Sequence, residues 1–126
     1  AVEASRAVAV TGDGDFLMNV QEMETIARLG LVVTAIVWED RAWGLIAWKQ
    51  RVEFGRQTDL DFGNPEWLGL AAAFGWRAER VDAAEAFAPA LRRALDHPGP
   101  ALVVVPVDYR ENLKLTERLG RTHCRI

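Results

Sequence analysis

The chain has 126 residues, half of them apolar, and a net charge of −3, which suits one domain with a buried core over 1–126. Its charges are interspersed, so no basic stripe offers itself to nucleic acid, and the longest nearly uncharged run, Leu29–Trp38, is far short of the roughly 20 residues a membrane helix needs. A single cysteine, Cys124, excludes an internal disulfide and a thiolate cluster; with no charged-then-apolar signal segment at the start, a cytoplasmic protein is expected.

The run Ala7–Thr11 has the length and composition of a buried strand and stops at Gly12-Asp13-Gly14, which reads as a surface turn. Met18–Leu29 then sets Met23, Ile26 and Ala27 at i, i+3 and i+4 against Glu22, Glu24 and Arg28, an amphipathic helix closed by Gly30. Leu31–Trp38 is continuous and β-branched, as a central parallel strand is. A helix is expected over Gly44–Glu53. Another is expected to be capped by Asn64, with Pro65 in its first position, and to run from Trp67 to Phe74 before Gly75. A short strand near Arg77–Val81 precedes a helix over Ala83–Asp96, with Phe87, Leu91 and Leu95 on one face and His97-Pro98-Gly99-Pro100 as its stop. Ala101–Val105 is the last buried strand, followed by a polar tail with some helical character that carries His123. The five tryptophans, lacking a basic groove beside them, are expected to serve packing or assembly.

Strands alternating with helices predict an α/β fold: three layers, doubly wound, a mainly parallel sheet with helices on both faces. In such a sheet ligands gather beyond the carboxyl ends of the strands. Two of those ends carry acids, Gly12-Asp13-Gly14-Asp15 and Glu39-Asp40. If the two strands are neighbours, Asp13 and Asp40 converge, and their carboxylates repel each other unless a cation sits between them. Magnesium takes one or two protein carboxylates and completes its octahedron with phosphate oxygens and water. The glycines allow backbone N–H groups to approach that phosphate. Taken alone, Gly-Asp-Gly reads more readily as an ordinary solvated turn.

The spacing is more specific. Gly12-Asp13-Gly14 with Asp40 27 residues after Asp13 resembles the signature of thiamine-diphosphate enzymes. The resemblance implies that Asp13, Asp40 and the backbone carbonyl of Ala42 bind Mg2+, that Gly12, Gly14, Asp15, Trp43 and Gly44 lie along the cofactor, and that Leu45, Ile46 and Lys49 stand on the substrate side. Phe16–Asn19, Gln21–Thr25, Ile36–Asp40, Asp61–Pro65, Ala73–Gly75 and Pro106–Tyr109 are similar, in order, to acetolactate synthases, the catabolic flavin-independent kind above all. The similarity implies a diphosphate-binding domain, part of a longer carboligase (a transferase) that decarboxylates pyruvate and condenses it with a second 2-keto acid, in branched-chain amino acid or acetoin metabolism. The glutamate that activates the cofactor belongs, in that family, to a pyrimidine-binding domain contributed by a second subunit. A homo-oligomer is therefore implied, with no catalytic residue in this chain and no turnover by it alone.

The chain departs from the family pattern at Glu39-Asp40, where Asn-Asn is common, and at Lys49, where catabolic enzymes carry Gln and biosynthetic ones Trp; the choice of 2-keto acid stays open. Another thiamine-diphosphate 2-keto-acid decarboxylase or carboligase fits the same motif. So, less well, does a non-catalytic Mg-binding regulatory domain of flavodoxin-like topology, which wants a Lys after the last strand, where Pro106-Val107-Asp108 stands. As a residue on a surface turn, Asp13 is expected to tolerate replacement by Ala without loss of fold.

Overall fold

Strand β1 (Ala7–Gly12) runs directly into helix α1 (Asp13–Met18), and α2 (Glu22–Arg28), β2 (Val33–Glu39), α3 (Gly44–Phe54), α4 (Trp67–Ala73), β3 (Arg77–Arg80), α5 (Ala84–Asp96) and β4 (Ala101–Pro106) come after it in chain order. The structure, a computed structural model, describes residues 6–111, so Cys124, His123 and the polar tail lie outside the described residues. The four strands form one parallel sheet in the order β1-β2-β4-β3. No helix among the described residues is long and apolar enough to cross a membrane.

Side chains alternate across a strand, and β2 and β4 supply apolar residues to both faces. Ala35, Val37, Leu102 and Val104 meet Met23 of α2 and Trp67 and Ala71 of α4 on one face, with Phe16 and Leu17 of α1 packed against them. Ile36, Val103 and Val105 meet Ala90 and Ala94 of α5 on the other, with Phe87 and Leu91 alongside. The expected three-layer α/β architecture is the one observed, and Leu31–Trp38 is represented by the central strand β2.

Three local expectations are corrected. The helix expected over Met18–Leu29 is the shorter α2, starting at Glu22 after a turn over residues 19–21 that parts it from α1, and Asn19 caps α1 by donating its N–H to Phe16 O at 3.0 Å. The apolar series Phe16, Val20, Met23 and Ala27 keeps helical spacing across that break and packs on one core, so periodicity alone does not reveal it. Asn64 is not the cap of α4: Glu66 is, its carboxylate accepting from Leu68 N (3.0 Å) and Gly69 N (2.6 Å). Finally, β1, the sheet edge among the described residues, is exposed along Ala7–Val10, because both core clusters are built on β2 and β4 and take in none of these four residues.

Candidate functional site

Strands β1 and β2 are neighbours in parallel register, with Gly12 opposite Trp38. Their carboxyl ends therefore stand side by side, and the acids at the two ends meet there. Asp13 is the first residue of α1 and only 1% exposed. It stands in the interior, contrary to the expected surface turn. Its Oδ1 accepts the N–H of Gly14 at 2.9 Å, and its Oδ2 accepts the N–H of Arg41 at 2.8 Å and the Nδ2 of Asn64 at 2.7 Å. Arg41 adopts φ 58°, a left-handed conformation that costs a non-glycine residue about 1–2 kcal/mol.

Asp40 is half-buried, and burial pushes its carboxyl above the ordinary carboxylate value; the charge of Asp13 beside it pushes the same way, against the N–H of Ala42 donated to Oδ1 at 3.3 Å. The loop holding Asp40 is tied down by Trp43 N to Leu60 O (2.9 Å) and Phe62 N to Arg41 O (3.0 Å). Two glycines permit the closeness: a Cβ on Gly14 would come within 2.7 Å of the Trp43 ring, and one on Gly44 would collide with the Asp40 carboxylate.

These residues border a cleft of about 540 Å³. Gly12, Asp13, Gly14, Asp15, Asp40, Ala42, Trp43 and Gly44 all line it, as do Leu45 and Ile46. Lys49, expected on the substrate side, does not; Trp48 lies there instead, together with Met18, Trp38 and Tyr109. Leu45 and Ile46 are 77% and 49% exposed, so they are not core residues. Burial and the charges of Asp40 and Asp13 push the Tyr109 phenol up, which keeps it a neutral hydroxyl at the rim.

Glu39, adjacent to Asp40, turns inward and is 4% exposed. Its Oε2 pairs with Arg80 Nη2 at 2.6 Å, and its Oε1 accepts from Trp67 Nε1 at 3.0 Å and Asn64 Nδ2 at 3.1 Å. Burial raises its proton affinity, but the bonds from Arg80, Trp67 and Asn64 and the Arg80 charge outweigh that and hold its pKa at about 2. Sequence reasoning missed Glu39 and Asn64 as partners of the site. Only an acid at the end of a buried strand hinted at the first.

Among the described residues no group of three or more His, Cys, Asp or Glu is placed to hold a metal, which does not suit a closed structural zinc site. Two crowded carboxylates at the mouth of a cleft suit a hard cation that takes its remaining ligands from phosphate and water.

The family described as "Thiamine pyrophosphate enzyme, C-terminal TPP binding domain" matches residues 1–105. The catabolic acetolactate synthase of Raoultella terrigena is 39% identical over 118 residues, 94% of this chain and 21% of that protein. The acetolactate synthase of Bacillus subtilis is 36% identical over 87% of this chain and 19% of its own length. The chain thus spans about a fifth of these curated relatives. Among solved structures, the thiamine diphosphate-dependent 4-hydroxybenzoylformate decarboxylase of Rhodococcus jostii RHA1 superposes with a TM-score of 0.78 at 22% identity, over 87% of this chain and 21% of that one. That likeness is one of fold.

Proposed function

Because the chain belongs to the thiamine pyrophosphate enzymes, as their C-terminal TPP-binding domain, we propose that its cleft takes the diphosphate of thiamine diphosphate through Mg2+ held by Asp13, Asp40 and the backbone carbonyl of Ala42. The observation that carries this is the meeting of Asp13 and Asp40 past adjoining strand ends, close enough for one carboxylate to raise the proton affinity of the other. A cation between them relieves that repulsion. Gly12 caps α1 without a side chain, so apart from the Gly14 N–H, which Asp13 Oδ1 accepts, the start of α1 leaves backbone N–H groups for the phosphate oxygens. Trp43, held against Gly14, walls the cofactor on one side. Leu45 and Ile46, exposed beyond it, line the route to the substrate and shed water from it.

When bound, the cofactor supplies the electron sink that lets a 2-keto acid lose carbon dioxide and lets the remainder join a second carbonyl. Likeness to acetolactate synthases over most of this chain supports pyruvate as the donor and an acetolactate synthase-like carboligase as the complete protein. We assign no described residue the role of acid or base in the reaction, and turnover accordingly calls for the glutamate-bearing pyrimidine-binding domain, from a second subunit. Membership of this family leaves the flavodoxin-like regulatory reading without support.

Asp13→Asn tests the assignment. It keeps the side chain's shape and one acceptor oxygen, whereas Asp13→Ala would leave the Arg41 N–H without its acceptor and the Asn64 amide with Glu39 alone and destabilise the fold by about 1–3 kcal/mol. In titration calorimetry on the complete protein, Asp13→Asn is expected to lose the Mg2+-dependent part of thiamine diphosphate binding. Unchanged affinity refutes the assignment.

A further inference from the structure

Asn64 sits in the segment before α4, far in sequence from both acids it touches. Its Nδ2 donates to Asp13 Oδ2 at 2.7 Å and to Glu39 Oε1 at 3.1 Å. The amide orientation is dictated by chemistry: reversed, Oδ1 would face two carboxylates. Its own Oδ1 is buried and has no partner among the described residues, a cost borne for the sake of the donor. Glu39 is in turn held by Trp67 Nε1 from α4 and by Arg80 from β3. A relay therefore runs from Arg80 through Glu39 and Asn64 to Asp13, joining the far edge strand to the cleft.

We propose that Asn64 is a positioning residue, whose amide, anchored on Glu39, holds the Asp13 carboxylate in the rotation that lets it share a divalent cation with Asp40. The inference rests on the Mg2+ reading above and adds to it a residue that touches neither cation nor cofactor. Gly14 N–H and Arg41 N–H also bind Asp13, but both are main-chain donors in the two segments that carry the acids, α1 and the loop after β2. Asn64 is the side chain that locks the carboxylate to the rest of the sheet. Few residue types fit: Asp would gather three carboxylates, and an aliphatic side chain donates nothing.

The test is titration of the complete protein with MgCl2 at fixed, saturating thiamine diphosphate, read by calorimetry. Asn64→Leu is expected to weaken apparent Mg2+ affinity about 10-fold or more, as loss of a group that orients a metal-binding carboxylate does. Should Asn64→Leu fail to fold, Asn64→Ala, which adds no bulk, reads the same quantity. Trp76→Phe is the matched control: it loses a buried bond, Trp76 Nε1 to Met23 O at 3.0 Å, and destabilises the same core without reaching Asp13. Its Mg2+ affinity is expected to stay within about twofold of the parent, as for an independent site. Parent-like affinity in a folded Asn64 variant, or an equal loss in Trp76→Phe, overturns the positioning role while the parent's Mg2+-dependent binding keeps the diphosphate reading intact. A parent that binds thiamine diphosphate without regard to Mg2+ overturns both.

Discussion

Glu39 and Asp40 are adjacent, yet the fold drives their proton affinities in opposite directions. Strand alternation sends Glu39 toward α4, where Arg80, Trp67 and Asn64 surround it, and leaves Asp40 at the cleft beside another carboxylate. A carboxyl moved from 4.5 to about 2 contributes stability on the order of 3 kcal/mol. Because the folded-state value is depressed, that contribution is complete above the ordinary value of 4.5 and disappears as pH falls from there to about 2. Glu39→Gln is therefore expected to be less stable than the parent at pH 7, with the gap closing toward pH 3. Urea midpoints at both pH values measure it, and a gap that stays constant with pH contradicts the ionised pair.

At the scale of elements, α3 begins at a residue chosen against helix propensity. Gly44 opens the helix where Ala would favour it by about 1 kcal/mol, but a Cβ there meets the Asp40 carboxylate. Site geometry and helix stability therefore pull apart. Gly44→Ala is expected to leave the thermal midpoint equal or higher while weakening Mg2+-dependent binding of thiamine diphosphate. Differential scanning fluorimetry without ligand and calorimetry with it give the two readings, and a parallel fall or no change in both contradicts the account. Helix α4 shows the reverse economy: Glu66 takes over its cap, which frees Asn64 for the two carboxylates.

Across the whole molecule, apolar surface is concentrated where the described residues leave elements uncovered. On α3, Leu45 is 77% and Phe54 70% exposed, with Ile46 and Val52 about half exposed, and on the edge strand β1, Val8 and Val10 are open as well. Patches of this kind mark contact surfaces. This chain covers about a fifth of the curated relatives it matches, and the function proposed above calls for a pyrimidine-binding domain from a second subunit. The isolated chain is accordingly expected to self-associate with rising concentration. Light scattering checks this, and a strictly monomeric species at high concentration refutes it. Replacing Leu45 and Phe54 by Ser is expected to reduce the association.

The sequence by itself determined the layers and, given neighbouring strands, the meeting of the two acids. Apolar, β-branched runs such as Val33–Val37, broken only by Thr34, and Ala101–Val105 suit strands buried on both faces of a parallel sheet. Parallel strands bring the residues at their carboxyl ends to one edge of the sheet, so Asp13 and Asp40 were legible as partners. Tertiary structure decided the rest, because it depends on contacts between residues distant in the chain. The burial of Asp13, the ionised Glu39 and the reassignment of Asn64 from cap to carboxylate partner arise where α4 and β3 come up beside β2. No local pattern announces them: a hydrogen bond across 51 positions leaves no periodicity in a sequence.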